Sequence, residues 1–297
     1  MSFSFGFFDD ADASSDTTIT AAGNDAAKSW ASCADADSWL PAQNVTEDAV
    51  AAFEASHNNV DPENSVRRWH SFVVSDSLRL EAMQDASEAQ AHHTDVDPGK
   101  YEGGLKLWEC TLDLLRFLDA NSTTFCQLGT QVLDLGCGQG LLGCWALQKG
   151  CQVDFQDLNR EVLVKQTLPN AVRNTGLSAQ ELYGSGRAKL FAGDWRSYLA
   201  SQDSSIELGQ ADLVVSSETL YSDSLYPALY DLLLQVLRPG KESVALLAAK
   251  RFYFGVGGGT DTFALYCQQR GTLLCERVHA VSDGNSNVRD ILKVSRA

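Results

Sequence analysis

A chain of 297 residues, 44% apolar and 21% charged, has the composition of a water-soluble globular protein with room for one large domain or two small ones. The net charge of −16 is uneven: residues 1–100 hold 18 acids and 5 bases, residues 101–297 hold 21 acids and 18 bases, so −13 falls in the first third. That acidity argues against direct binding to nucleic acid, whose phosphates it would repel, and would suit a basic protein partner or simple solubility.

Residues 1 to about 65 are rich in Ala, Asp, Ser and Asn without sustained periodicity, and read as mostly disordered with helical turns near Val50–Ala55. The aromatic opening, Phe3, Phe5, Phe7 and Phe8 beside Asp9 and Asp10, reads as a docking motif or an end tucked onto the fold. Residues 66–100 read as an extension packed on the core, with a strand over Val66–Val74, a helix over Ser77–Gln90 and a loop over His92–Pro98. The main domain is expected over 101–297. It starts with a helix over Lys106–Leu118, carrying Leu112, Leu115 and Leu118 on one side.

Strands and helices then alternate. Strands are predicted at Gln131–Leu135, Gln152–Asp157, Ala188–Ala192, Asp212–Ser216 and Ser243–Ala249. Helices follow at Leu141–Lys149, from Arg160 with an interruption at Pro169, at Tyr226–Leu237 and at Thr260–Gln269. Two closing strands, Leu273–His279 and Asn287–Val294, flank the turn Ser282–Asn285. This is an α/β pattern: a Rossmann-like, mainly parallel sheet with an antiparallel C-terminal hairpin. Ligands bind such sheets beyond the carboxyl ends of the strands, where the strand order reverses.

Those strand ends carry the polar residues. The first is Asp134-Leu135-Gly136-Cys137-Gly138-Gln139-Gly140, where glycines would admit a close ligand. Its acid precedes the first glycine by two residues, a phasing that suits a cationic amino-acid end better than a pyrophosphate. The second carries Gln156, Asp157, Leu158 and Asn159, with Asp157 placed for a ribose diol. The third carries Gly193, Asp194 and Trp195, an acid and an aromatic face suited to a purine. The fourth carries Ser216 to Tyr221, facing the reacting end, and the fifth a glycine-aromatic loop from Lys250 to Gly259. Each alone has a structural alternative, such as a helix cap for Asp157 or a core anchor for Trp195.

The block Gly103-Gly104-Leu105-Lys106-Leu107-Trp108-Glu109-Cys110-Thr111, the stretches at 156–159, 193–195 and 217–221, and Phe254-Gly255-Val256-Gly257-Gly258-Gly259 together resemble one family. It is the protein-histidine N-methyltransferase branch of the class I, seven-strand, S-adenosyl-L-methionine-dependent methyltransferases. The resemblance covers roughly residues 98–294. It implies seven strands and cofactor contacts from Leu107, Trp108, Glu109, Cys110 and Thr111. Further contacts are implied from Asp134, Gly136, Gly138, Gln156, Asp157, Leu158, Gly193, Asp194, Trp195 and Ser217. It also implies attack through the tele nitrogen of a histidine on a large-subunit ribosomal protein. Leu158 stands where the family often has an aromatic residue.

Methyl transfer from a sulfonium needs positioning, water exclusion and the handling of one proton. A neutral imidazole needs little activation at pH 7, whereas a lysine must first lose a proton. Glu218 and the 254–259 backbone are candidate acceptors for the imidazole N–H, with Tyr221 and Tyr253 at the entrance. Eight cysteines without Cys-x-x-Cys or His-spaced clusters point to a reducing compartment, cytoplasmic or nuclear, and to no metal. Neither a secretory signal at Met1–Asp10, a membrane-length apolar run nor a lipidation motif at Val294–Ala297 is read. A monomer acting on a protein is expected. A lysine or small-molecule methyltransferase, a dehydrogenase and a non-catalytic scaffold remain alternative uses of the same sheet.

Overall fold

The computed structural model describes residues 43–58, 67–85, 103–200, 210–240, 242–282, 284 and 287–297. The Phe3–Asp10 motif, the His92–Pro98 loop and the bulk of the acidic segment lie outside these residues.

Five parallel strands make the centre: β4 (Gln131–Leu135), β5 (Gln152–Asp157), β6 (Ala188–Ala192), β7 (Leu213–Ser217) and β8 (Val244–Lys250). The complete sheet has eight strands in the order β1-β6-β5-β4-β7-β8-β10-β9. The final strand, β10 (Arg289–Arg296), lies antiparallel between β8 and β9 (Leu273–Val281), which puts β9 at the edge. The eighth strand, absent from the seven-strand expectation, is β1 (Gln43–Asn44), which pairs with the outer edge of β6. Strand order reverses at β4, which has β5 on one side and β7 on the other. That reversal opens a crevice above the carboxyl ends of β4 and β7.

Helices cover both faces. One carries α2 (Glu109–Ala120), α3 (Leu141–Gln148) and α4 (Leu168–Thr175); the other carries α5 (Trp195–Ala200), α6 (Tyr226–Val236) and α7 (Thr260–Arg270). Residues Leu141 to Leu147 are all buried, so α3 is apolar all round, as a helix sandwiched between sheet and neighbours must be. A Cβ at Gly143 would come within 2.2 Å of the Phe155 ring, which lets this helix lie directly on β5. The buried indole of Trp145 donates to Asp119 at 3.4 Å, and Asp119 also accepts from Ser75 and pairs with Lys149.

Three expectations differ from the structure. The helix read over Ser77–Gln90 is instead strand β3 (Arg79–Asp85), paired with β2 (Arg67–Val73) as a separate two-stranded sheet. Leu, Glu, Ala and Met are good helix formers, but Leu78, Leu80 and Ala82 are buried at period two. Burial on one face overrode propensity. Second, the helical turns expected near Val50–Ala55 are present but belong to a full helix, α1 (Thr46–Asn58), preceded by β1, with Val45, Ala49 and Val50 buried in the core. The Thr46 hydroxyl accepts the Leu190 N–H at 2.9 Å, tying this segment to β6. Third, Pro169 does not break its helix. Leu163–Thr167 forms a wide π-type turn, and Pro169 then falls in the first turn of α4, where its missing N–H costs nothing.

Candidate active site

The turn after β4 is built from inside. Gly136, Gly138 and Gly140 all have φ between 51° and 72°. A Cβ at Gly136 would stand 2.8 Å from Thr219 Cγ2, and one at Gly140 2.7 Å from Thr167 Cγ2. The glycines therefore serve left-handed backbone and close protein packing, beyond the ligand approach expected from the motif. Asp134 is wholly buried: Oδ2 accepts the Gly143 N–H at 2.8 Å in the first turn of α3, and Oδ1 has no partner. The sequence reading set this acid against the cationic end of a ligand; the structure sets it beneath the turn instead.

Burial pushes the Asp134 carboxyl up to about 8, reinforced by the charge of Asp157. The folded chain thus keeps a proton that the unfolded chain, at an ordinary value of 3.8, has released. Stability from this group is complete below about pH 4 and is lost as pH rises toward 8. Asp134→Asn cannot titrate. In urea titrations its stability relative to the parent protein should rise by about 1.4 kcal/mol for each pH unit from pH 5 toward pH 8. Parallel curves for the two proteins over that range would show that Asp134 is ionised in the folded state.

At the end of β5, Asp157 is 5% exposed; its Oδ2 accepts the Gly138 N–H and its Oδ1 the Asn159 N–H, both at 3.0 Å. This clamps the glycine turn to β5 and leaves the carboxylate at the crevice rim. Gln156 is consumed structurally: its Oε1 accepts from Gly136 and from the Trp195 indole, and its Nε2 donates to the Gly193 carbonyl. Trp195 and Leu158 are partly exposed. Asp194 is engaged by Arg196 through both oxygens, at 2.9 and 2.7 Å.

The segment from Gly103 lies across the glycine turn. A Cβ on Gly138 would meet the Gly104 carbonyl at 3.0 Å, and the Leu105 carbonyl accepts Gln139 Nε2 at 3.0 Å. Leu107 packs on the core and the Trp108 indole donates to the Gly103 carbonyl. Lys106 Nζ stands 4.5 Å from the centre of the Trp108 ring. Glu109 is exposed and faces Arg289 on β10. Thr111 reaches Ser217 at the end of β7, hydroxyl to hydroxyl, at 2.7 Å. Gly104, Leu105, Gln139 and Thr167 pack on or within the glycine turn, and none of them was among the residues predicted from sequence. The first two stood inside the specific block at 103–111. Thr167, whose hydroxyl donates to the Gly138 carbonyl at 2.7 Å, had no sequence signal.

Just beyond β7, Glu218 is the one non-glycine residue with positive φ (60°) among the described residues. Holding a carboxylate side chain there costs on the order of 1 kcal/mol, the kind of strain that surrounding structure sustains at functional sites. Its N–H is fixed to the Ala248 carbonyl at 2.8 Å. The Tyr253 hydroxyl donates to Oε2, while Oε1 is buried and has no hydrogen-bond partner. The Cys110 thiol lies against the same carboxylate; burial first, then the Glu218 charge, raises it far above the thiol range. Burial and Glu218 likewise hold the Tyr253 phenol neutral. Tyr221 meets Tyr253 edge to face, ring centres 6.5 Å apart.

Loop 250–259 is zipped to this centre. Gly258 N–H donates to the Tyr221 carbonyl and Tyr253 N–H to the Gly258 carbonyl. A Cβ on Gly258 would lie 2.3 Å from the Leu220 oxygen, so the approach of these two loops requires glycine. Beneath the loop, buried Asp290 accepts from Arg251 and Thr260 and pairs with Arg277. Burial would raise its carboxyl, but these partners hold it below the ordinary value.

The donor set is a test of what fits. Beside the glycine turn stands the Asp157 carboxylate, with Asp134 buried beneath it. A pyrophosphate would be repelled by that carboxylate, whereas a cationic ligand carrying a diol would not. Among the described residues no group of three or more His, Cys, Asp or Glu is placed to hold a metal, and no helix is long and apolar enough to cross a membrane.

A family model described as "Lysine methyltransferase" matches residues 94–253, more than half of the chain. This chain belongs to that methyltransferase family. Within it, the similarity is to the histidine branch that the motifs implied. The "Histidine protein methyltransferase 1 homolog" of Bos taurus is 37% identical over 67% of this chain and 57% of its own length. That of Dictyostelium discoideum is 36% identical over 68% of this chain and 60% of its own. By contrast the "EEF1A lysine methyltransferase 3" of Mus musculus is 26% identical over 45% of this chain and 51% of its own. This methyltransferase thus spans under two thirds of the histidine relatives it matches. Its residues at the crevice fit the S-adenosyl-L-methionine that class I methyltransferases use.

Proposed function

We propose that this chain methylates a histidine of a protein substrate, using S-adenosyl-L-methionine, and that the substrate is a basic large-subunit ribosomal protein attacked through its tele nitrogen. The observation that carries the reading is Glu218: a strained, half-buried residue whose Oε2 is held by Tyr253, whose side chain has the Cys110 thiol against it, and whose buried Oε1 has no nitrogen or oxygen partner. An unsatisfied buried acceptor is costly, and an imidazole N–H would satisfy it. Bound at the crevice, the cofactor supplies an electrophilic methyl. The chain's residues do the rest. Asp157 and the glycine turn hold the donor, and Glu218 accepts the N–H distal to the attacking nitrogen. That fixes the tautomer and stabilises the positive charge formed on the ring. Tyr253 keeps the carboxylate oriented. We place the reaction in the cytoplasm or nucleus and assign it to a monomer.

The rim beside Tyr253 exposes Phe252, Phe254 and Val256, with Phe254 89% exposed. In this reading the substrate chain crosses these side chains. Phe254→Ser should raise KM for the protein substrate about tenfold, roughly the burial of one aromatic ring, and leave cofactor Kd unchanged. An unaltered KM would move substrate binding elsewhere.

The deciding experiment incubates the protein with labelled S-adenosyl-L-methionine and ribosomal proteins from a strain lacking the gene, followed by amino-acid analysis. Labelled tele-methylhistidine is the expected product. Labelled methyl-lysine would instead favour the activity in the family model's description. Cofactor binding with no labelled protein would remove the enzyme reading.

A further inference from the structure

The two-stranded sheet β2–β3 is joined to the cofactor turn through a single buried side chain. Asn170, wholly buried on α4, accepts the Met83 N–H of β3 on Oδ1 at 2.9 Å. Its Nδ2 donates to the Gln139 carbonyl inside the glycine turn, also at 2.9 Å. Gln139 in turn donates from Nε2 to the Leu105 carbonyl of the segment lying over that turn. The path from hairpin to turn to covering segment is three hydrogen bonds long, and Asn170 and Gln139 are 0% and 4% exposed. One helical turn on, Asn174 makes a parallel contact without entering the turn. Its Oδ1 accepts the Glu81 N–H at 2.8 Å and its Nδ2 donates to the Glu81 and Asn170 carbonyls, while the Cys144 thiol lies beside it. The two asparagines, at i and i+4, offer β3 the hydrogen bonds a neighbouring strand would offer. Arg173 adds an ion pair to Glu81 and stacks over Trp69 at 5.4 Å.

We infer that Asn170 is a positioning residue for the cofactor: it sets the backbone of the Gly138–Gly140 turn according to whether the β2–β3 hairpin is docked. The physical ground is that its amide is bifunctional. Both halves are satisfied only when the hairpin and the turn hold their places together, and either half left alone is a buried unsatisfied group. Hairpin docking and cofactor binding are therefore linked, each favouring the other. Asn174 serves hairpin docking and bonds its own helix, but makes no hydrogen bond to the turn. The inference rests on the crevice being the cofactor site, and the test is arranged to separate the two.

The experiment compares Asn170→Ala with Asn174→Ala in the full chain. Calorimetry with S-adenosylhomocysteine should show Kd raised about tenfold in Asn170→Ala and by less than about twofold in Asn174→Ala, one lost buried hydrogen bond in the turn being worth about 1.4 kcal/mol. Kinetically, Asn170→Ala should raise KM for the cofactor and leave kcat at saturation close to that of the parent. Hydrogen exchange, read without any ligand, should accelerate at the amides of residues 138–141 in Asn170→Ala only, while both variants accelerate exchange in β3. Equal effects of the two variants on the turn, or an undisturbed turn in Asn170→Ala, would overturn the inference. If the parent protein fails to bind S-adenosylhomocysteine, the cofactor reading falls, and the exchange comparison still decides the role of Asn170. Asn170→Asp, which keeps the acceptor for Met83 and loses the donor to Gln139, covers the case in which the alanine variant fails to fold. It should leave exchange in β3 near parental and still disturb the turn; parental exchange in both would also overturn the inference.

Discussion

Glu218→Gln should lower kcat for histidine methylation by at least about 100-fold, within the range that general acid–base groups contribute, and leave the Kd for S-adenosylhomocysteine within about twofold. The substitution preserves shape. The amide oxygen of the introduced side chain can still accept the Tyr253 hydroxyl, so the loop remains attached. What disappears is the negative charge that would balance an imidazolium beside it. Cys110 and Tyr253 do not replace it, because burial alone favours their neutral forms. Single-turnover kinetics with saturating cofactor are the appropriate measurement. An unchanged rate with intact binding would confine Glu218 to orienting Tyr253, and the proton would have to be received by the 254–259 backbone.

A comparable loss is expected from a residue with no functional group. Gly258→Ala should abolish most activity, by about 100-fold or more in kcat/KM, because the added Cβ meets main chain of the facing loop. It would lie 2.3 Å from the Leu220 oxygen and from the Tyr221 carbonyl carbon. Backbone of that kind cannot rotate aside, so the loop must lift. Lifting it breaks the Gly258–Tyr221 and Tyr253–Gly258 hydrogen bonds and draws the phenol away from Glu218. The stability cost should be about 1–3 kcal/mol, typical of an overpacked site, since the loop's deeper anchor on Asp290 survives. Cofactor affinity should change by less than about threefold, the crevice at β4 and β5 being built from other elements. Full activity in a folded Gly258→Ala protein would show that contact between the two loops is dispensable for the chemistry.

Much of this was legible in the residues. Strands β4, β5 and β6 have the predicted bounds, because buried parallel strands are short apolar runs stopped by acids and glycines. The four polar strand ends were visible as a series. The second hydrogen-bonding role of each polar residue was not. Gln156 and Asp194 look like ligand groups in one dimension, yet their side chains are taken up by Gly193, Trp195 and Arg196. Asp134 looks like a ligand acid and lies wholly buried under the turn.

The chain's own order of residues therefore determined the alternation of strand and helix, the glycine turn and the motifs of the methyltransferase family, since these depend on neighbours within one element or one turn. The tertiary structure alone decided that Ser77–Gln90 yields a strand, that β10 inserts beside β8, and that Asn170 touches both a hairpin and a turn. It alone also turned a loop acid, Glu218, into a strained residue with one carboxylate oxygen buried. Those outcomes depend on partners dozens of residues away, whose burial and hydrogen bonds outweigh what the local sequence prefers.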